Sequence, residues 1–149
     1  MNQEKKTKKS DLLFLVLITI LAVAVRLAVR TFVAEDWSVY WSDWLARLSE
    51  GGFRALADDF YDYAPPVMYI LYFITLLPVN AMTAFKGLCC LLDFAGADLI
   101  GRMVTECSGS RKRGYLAYGV FLFLPTVILN AAVWSQCDII YTLLIRSEE

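Results

Sequence analysis

The chain has 149 residues, is 58% hydrophobic and carries a net charge of only −1. The apolar excess is gathered into long runs, which marks an integral membrane protein, and the near-neutral balance leaves no basic surface for a nucleic acid. The chain has no His, which excludes His-based triads, His metal sites and imidazole acid–base chemistry. The four cysteines, Cys89, Cys90, Cys107 and Cys137, show no C-x-x-C spacing and read as thiols in apolar helices.

Residues 1–10 read as a basic tail with Lys5, Lys6, Lys8 and Lys9, on the cytoplasmic side by the positive-inside rule. Residues 11–32 then form a first transmembrane helix, an uncleaved signal anchor. Its Arg26 and Arg30 are expected to snorkel toward the far interface. Residues 33–64 form an external loop with seven acids (Glu35, Asp36, Asp43, Glu50, Asp58, Asp59, Asp62) and eight aromatics. Trp37, Trp41, Trp44, Leu45 and Leu48 share one helical face. They predict an amphipathic helix lying in the headgroup layer, aromatics down and carboxylates up. Gly51-Gly52 ends it, and a second short helix is expected over Phe53 to Phe60.

Residues 65–79 open on Pro65-Pro66 and close on Pro78. Pro66 to Val79, about 21 Å as helix, falls short of a hydrocarbon core of about 30 Å, so the segment reads as re-entrant or interfacial. Residues 83–104 then return as the second span, which places Arg111-Lys112-Arg113, in a loop over 105–114, on the cytoplasmic side. That span carries Asp93 and Asp98, each costing about 2.5–3.5 kcal/mol near a bilayer centre. Asp98 has Arg102 one turn on, whereas Asp93 has no partner on its own helix and is a candidate cavity residue. Residues 115–133 run outward as a third span kinked at Pro125, and 134–138 form an external loop. Residues 139–149 start a fourth apolar helix, cut off by Arg146-Ser147-Glu148-Glu149. The chain therefore reads as a fragment of a longer membrane protein, or as a product whose frame changed near residue 145. The fold class is all-α: a polytopic helical bundle with an external amphipathic loop, since open backbone in lipid is not viable.

Polar residues concentrate at the edges of the apolar segments. Three stretches, taken together, resemble the N-terminal part of the GT-C superfamily of membrane glycosyltransferases, nearest to bacterial relatives of the dolichyl-phosphate-sugar enzymes. Glu35-Asp36-Trp37 sits where that family has an acidic residue just after the first helix. Asp62-Tyr63-Ala64-Pro65-Pro66 is similar to its Asp-Tyr-x-Pro-Pro element, and Asn130 to Asp138 to its Trp-Gly-Gln-x-Asp element preceded by Asn. Asp93 falls where relatives carry an Asp in the second span. Ser135 departs from the family's Gly, and Ala64 and Ala131 also differ from common choices.

The resemblance implies transfer of a hexose from a polyprenyl-phosphate-sugar donor to a glycan, lipid or protein acceptor on the external face of a bacterial plasma membrane. Asp36 would be the base that deprotonates the acceptor, a task a carboxylate can perform without His. Asp62, Tyr63, Gln136 and Asp138 would hold sugar hydroxyls, and Trp134 would stack on a sugar face. Arg30 or Arg26 would touch the donor phosphate if not snorkelling. No cofactor is expected: Asp36 and Asp43, seven residues apart, offer too few oxygens for a good divalent-metal site. Besides the donor and acceptor, membrane lipids are the expected partners. Two alternatives stay open: a transporter or flippase segment with Asp93 as its key residue, and a membrane protein without chemistry.

Overall fold

A computed structural model describes residues 2–146, with side chains from 10 to 142. Met1 and the closing Ser147-Glu148-Glu149 lie outside the described residues, as do the side chains of the N-terminal lysines. Among the described residues the chain is all-helical, without strands. The order is α1 (Asn2–Val29), a π-turn (Trp37–Trp41) running into α2 (Ser42–Gly51), a 3-10 turn (Gly52–Ala57), α3 (Pro65–Thr75), α4 (Ala81–Ser108), α5 (Arg111–Leu122), α6 (Pro125–Ile128), a second π-turn (Leu129–Val133) and α7 (Ile139–Arg146).

Local chemistry sets the breaks. Gly52 takes a φ of +61°, a left-handed conformation that glycine adopts without a Cβ penalty, and α2 stops there. Pro65 and Pro66 start α3, where a missing N–H costs nothing. Asn80 caps α4: its side-chain oxygen accepts from the Thr83 backbone N–H at 3.0 Å. Gly109, at φ +65°, closes the other end of α4. The stretch over 115–133 is bent at Pro125, as the proline predicts. α5 stops at Leu122, and Pro125 restarts the chain at an angle of 53°.

Helices α4 and α5 are antiparallel neighbours that touch through small residues. A Cβ on Gly114 would collide with Thr105 Oγ1 and the Gly101 carbonyl oxygen, so the close approach requires glycine there. The main core lies at the end of the bundle where α1 stops. It joins Trp37, Trp41, Trp44 and Leu48 to Met68 and Leu71 of α3, and to Phe85 and Cys89 of α4. A smaller cluster farther along joins Ala22, Ala97 and Leu122.

Ser10–Val29 is the helical stretch long and apolar enough by itself to cross a membrane. α5 and α6 with its π-turn reach that standard only as one bent unit. α4 is long enough, with 28 residues, but carries Lys86, Asp93, Asp98 and Arg102. The outer face of α1 is apolar and uncovered: Leu13, Leu17, Ile20, Leu21 and Leu27 are each more than half exposed.

Two expectations are corrected here. The tryptophan face of the loop does not point away from the protein toward headgroups. Trp37, Trp41 and Trp44 are buried against the protein itself, because Phe85, Tyr63 and α3 complete a pocket of aromatic surface for them. Arg26 does not snorkel: it is 4% exposed and held inside the bundle. Arg30 is exposed, but it bends back to donate to the Leu27 carbonyl at 3.0 Å.

Candidate functional site

The helix that begins at Glu35 loosens into a π-turn at Trp37–Trp41, a distortion frequent at functional sites. The turn lets Trp37 and Trp41 lie parallel, with ring centres 6.0 Å apart and 7° between planes. Trp41 also packs on Phe85 at 4.8 Å and on Tyr63 at 5.2 Å, and Trp44 meets Tyr63 edge-on at 6.0 Å. These contacts clamp Tyr63 to the loop helix. Asp36 stands at the N-terminus of that π-turn, exposed, where the helix dipole favours an anion.

The second contributor is the stretch after α6. The Trp134 N–H closes the π-turn on the Leu129 carbonyl at 2.8 Å, and the Gln136 N–H reaches the Asn130 carbonyl at 2.9 Å. Between them Ser135 takes a φ of +59°, unusual for a residue with a Cβ. The fold-back brings Asn130 to Asp138, and the Asn130 side-chain amide donates to Asp138 Oδ2 at 3.2 Å. Trp134 is left exposed and Gln136 half-buried.

Tyr63 ties the contributors together. Burial is the main force that pushes its hydroxyl up to about 12, and the charges of Cys137, Asp138, Tyr141 and Asp36 add to it. Asp36 and Asp138, from two other sequence motifs, lie near enough to Tyr63 for their charges to add to that shift. Burial, with help from Asp138, likewise pushes the Cys137 thiol up to about 11, which makes it a poor nucleophile. Asp62, next to Tyr63, is exposed. Asp43 does not join Asp36: its carboxylate accepts from Arg47 Nε at 2.9 Å. Among the described residues there is no cluster of three or more metal-ligating side chains.

Asp93 and Arg30 find their hydrogen-bond partners outside this group. Asp93 is 4% exposed, and Arg26 Nη2 donates to its Oδ2 at 3.0 Å. The partner missing from its own helix comes from α1. The same guanidinium donates through Nη1 to the Leu122 carbonyl at 3.2 Å, one of the carbonyls left over where α5 breaks before Pro125. One arginine thus joins α1, α4 and the α5–α6 break. By contrast Asp98 and Arg102 pair at 2.7 Å on an exposed face, where such a bridge contributes little.

Sequence reasoning passed over Lys86. It is 5% exposed, and its ammonium donates to the carbonyls of Arg30 and Phe32 just past the end of α1. A cation at a helix C-terminus satisfies carbonyls that have no intrahelical donor. The signal was a lone Lys in the first turns of an otherwise apolar helix. No protein family, curated protein or solved structure matches this chain.

Proposed function

We propose that this chain forms the N-terminal part of a membrane glycosyltransferase that moves a hexose from a polyprenyl-phosphate-sugar donor to an acceptor on the external face. The observation that carries the reading is the aromatic clamp that holds Tyr63 against Trp41 and Trp44, on the helix that Asp36 opens. The bundle is read as polytopic, in a bacterial plasma membrane with the N-terminus cytoplasmic. Its spans are α1, α4 and the bent unit of α5 and α6. The ion pair of Arg26 with Asp93 lowers the cost of placing α4 in lipid.

In this reaction the Asp36 carboxylate takes the proton of the acceptor hydroxyl as that oxygen bonds to the anomeric carbon. The bond from that carbon to the phosphate oxygen breaks, and the phosphate leaves on its lipid. Configuration inverts, and the leaving group needs little acid help. Tyr63, Asp62, Gln136 and Asp138 bind sugar hydroxyls, and the exposed ring of Trp134 covers a sugar face. Because its hydroxyl is pushed up to about 12, Tyr63 acts as a hydrogen-bond donor and not as a base. The transport alternative needs an Asp93 able to bind and release cargo, and Arg26 already engages it.

The test is hexose transfer in membranes of cells expressing the gene that contains this chain, with a radiolabelled polyprenyl-phosphate-hexose as donor. Label should reach an acceptor with the wild type. With Asp36→Asn, at equal protein level, it should fall by about 100-fold or more. Undiminished transfer would remove Asp36 from the role, and no transfer by the wild type from any such donor would overturn the reading.

A further inference from the structure

A cavity lies between α1 and α4, on the flank of the bundle. Its volume is about 260 Å³, and its wall includes Arg26, Arg30, Lys86 and Gly87. This falls below the range of about 300–1,000 Å³ usual for drug-sized ligands, which suits a headgroup better than a whole lipid.

Three cationic side chains meet on this wall, and Asp93 offsets the charge of one, Arg26. Donors remain after the internal bonds are made. Arg26 Nε is buried and has no acceptor. Lys86 spends its hydrogen bonds on two backbone carbonyls and has three donors. Arg30 spends one on Leu27 and has five. Exposed Arg30 beside the buried Arg26 and Lys86 gives a cationic wall with donors to spare, which matches the oxygens of a phosphate. The mouth is apolar: Val23, Leu27 and Leu91 line it and are 39%, 51% and 68% exposed.

We propose that this α1–α4 cavity seats the phosphate of an anionic membrane lipid, its acyl chains lying along Val23, Leu27 and Leu91. The inference rests on α1 lying in a membrane and not on sugar transfer. The bound lipid would brace the joint where Lys86 and Arg26 tie α4 to α1.

Gly87 provides a clean test. A Cβ there would meet no atom within 4 Å, so a larger side chain can grow into the cavity without removing any charge. The full chain, purified in neutral detergent, would be titrated with phosphatidylglycerol, phosphatidylcholine or inorganic phosphate, and bound lipid counted by native mass spectrometry. The expected result is a single phosphatidylglycerol held about tenfold more tightly than phosphatidylcholine. Arg30→Gln should weaken it by about tenfold, and Gly87→Leu should abolish it while the unfolding temperature stays level or rises. Equal retention of the two lipids, or undiminished phosphatidylglycerol binding by both variants, would overturn the proposal. Displacement of the lipid by millimolar inorganic phosphate would also overturn it, by assigning the cavity to a soluble anion.

Discussion

Ser135 and Tyr63 carry the sharpest single-residue consequences. Ser135 adopts a left-handed φ of +59°, and its buried hydroxyl has no hydrogen-bond partner. Both features cost stability, and glycine removes both. Ser135→Gly should therefore stabilise the fold by about 1 kcal/mol, read as a raised denaturation midpoint in detergent. Tyr63 gives a pH dependence. Its hydroxyl is held up at about 12, against 10.0 for a free tyrosine, so the unfolded chain loses this proton first. Stability is fully present below pH 10 and falls as pH rises through about 12. Tyr63→Phe should remove that alkaline loss, measured as the difference in unfolding midpoint between pH 9 and pH 11.5. The strain at position 135 was not legible in the chain: the positive φ accompanies the Gln136-to-Asn130 closure, which joins residues six apart through the backbone.

At the scale of elements, the joint between α1 and α4 rests on two buried cations, Arg26 and Lys86. Removing one partner of the buried ion pair leaves the other charge stranded. Asp93→Ala should destabilise the fold by about 3–5 kcal/mol, whereas the double change Arg26→Met with Asp93→Leu should recover most of that loss, since two apolar groups strand nothing. A double-mutant cycle on detergent-solubilised protein measures the coupling, and additive losses would refute it. Helix existence was readable from apolar runs, and the Pro125 break from the absence of a proline N–H. The pairing of Arg26 with Asp93 was not readable. They are 67 positions apart, and a helix pattern reports only neighbours three or four residues away. For the same reason the tryptophan stripe revealed its shared face but not what covers it. An amphipathic helix reads alike whether its apolar side meets lipid or protein.

Across the whole molecule the uncovered apolar face of α1 and the distribution of basic residues bear on orientation. Arg111, Lys112 and Arg113 follow α4, at the end of the bundle away from the tryptophans. If α3 does not cross the membrane, this basic cluster lies on the same side as the N-terminal lysines. Ser110→Cys in a background free of the other cysteines should then react with a membrane-impermeant maleimide only after the cells are opened. Labelling of intact cells would reverse the topology.

The sequence by itself determined the helical class, a first apolar helix expected over 11–32 and seen as the apolar stretch Ser10–Val29, the helix stop at Gly52 and the break before Pro125. All of these depend on local backbone preference or on the periodicity of apolar residues. Tertiary structure alone decided that Tyr63 packs on Trp41 and Trp44, that Arg26 is spent on Asp93 and the Leu122 carbonyl, and that Lys86 caps α1. The physical reason is the same in each case. A buried charge or an orphan carbonyl is satisfied by whatever packing brings within about 3 Å, and that partner has no fixed spacing along the chain.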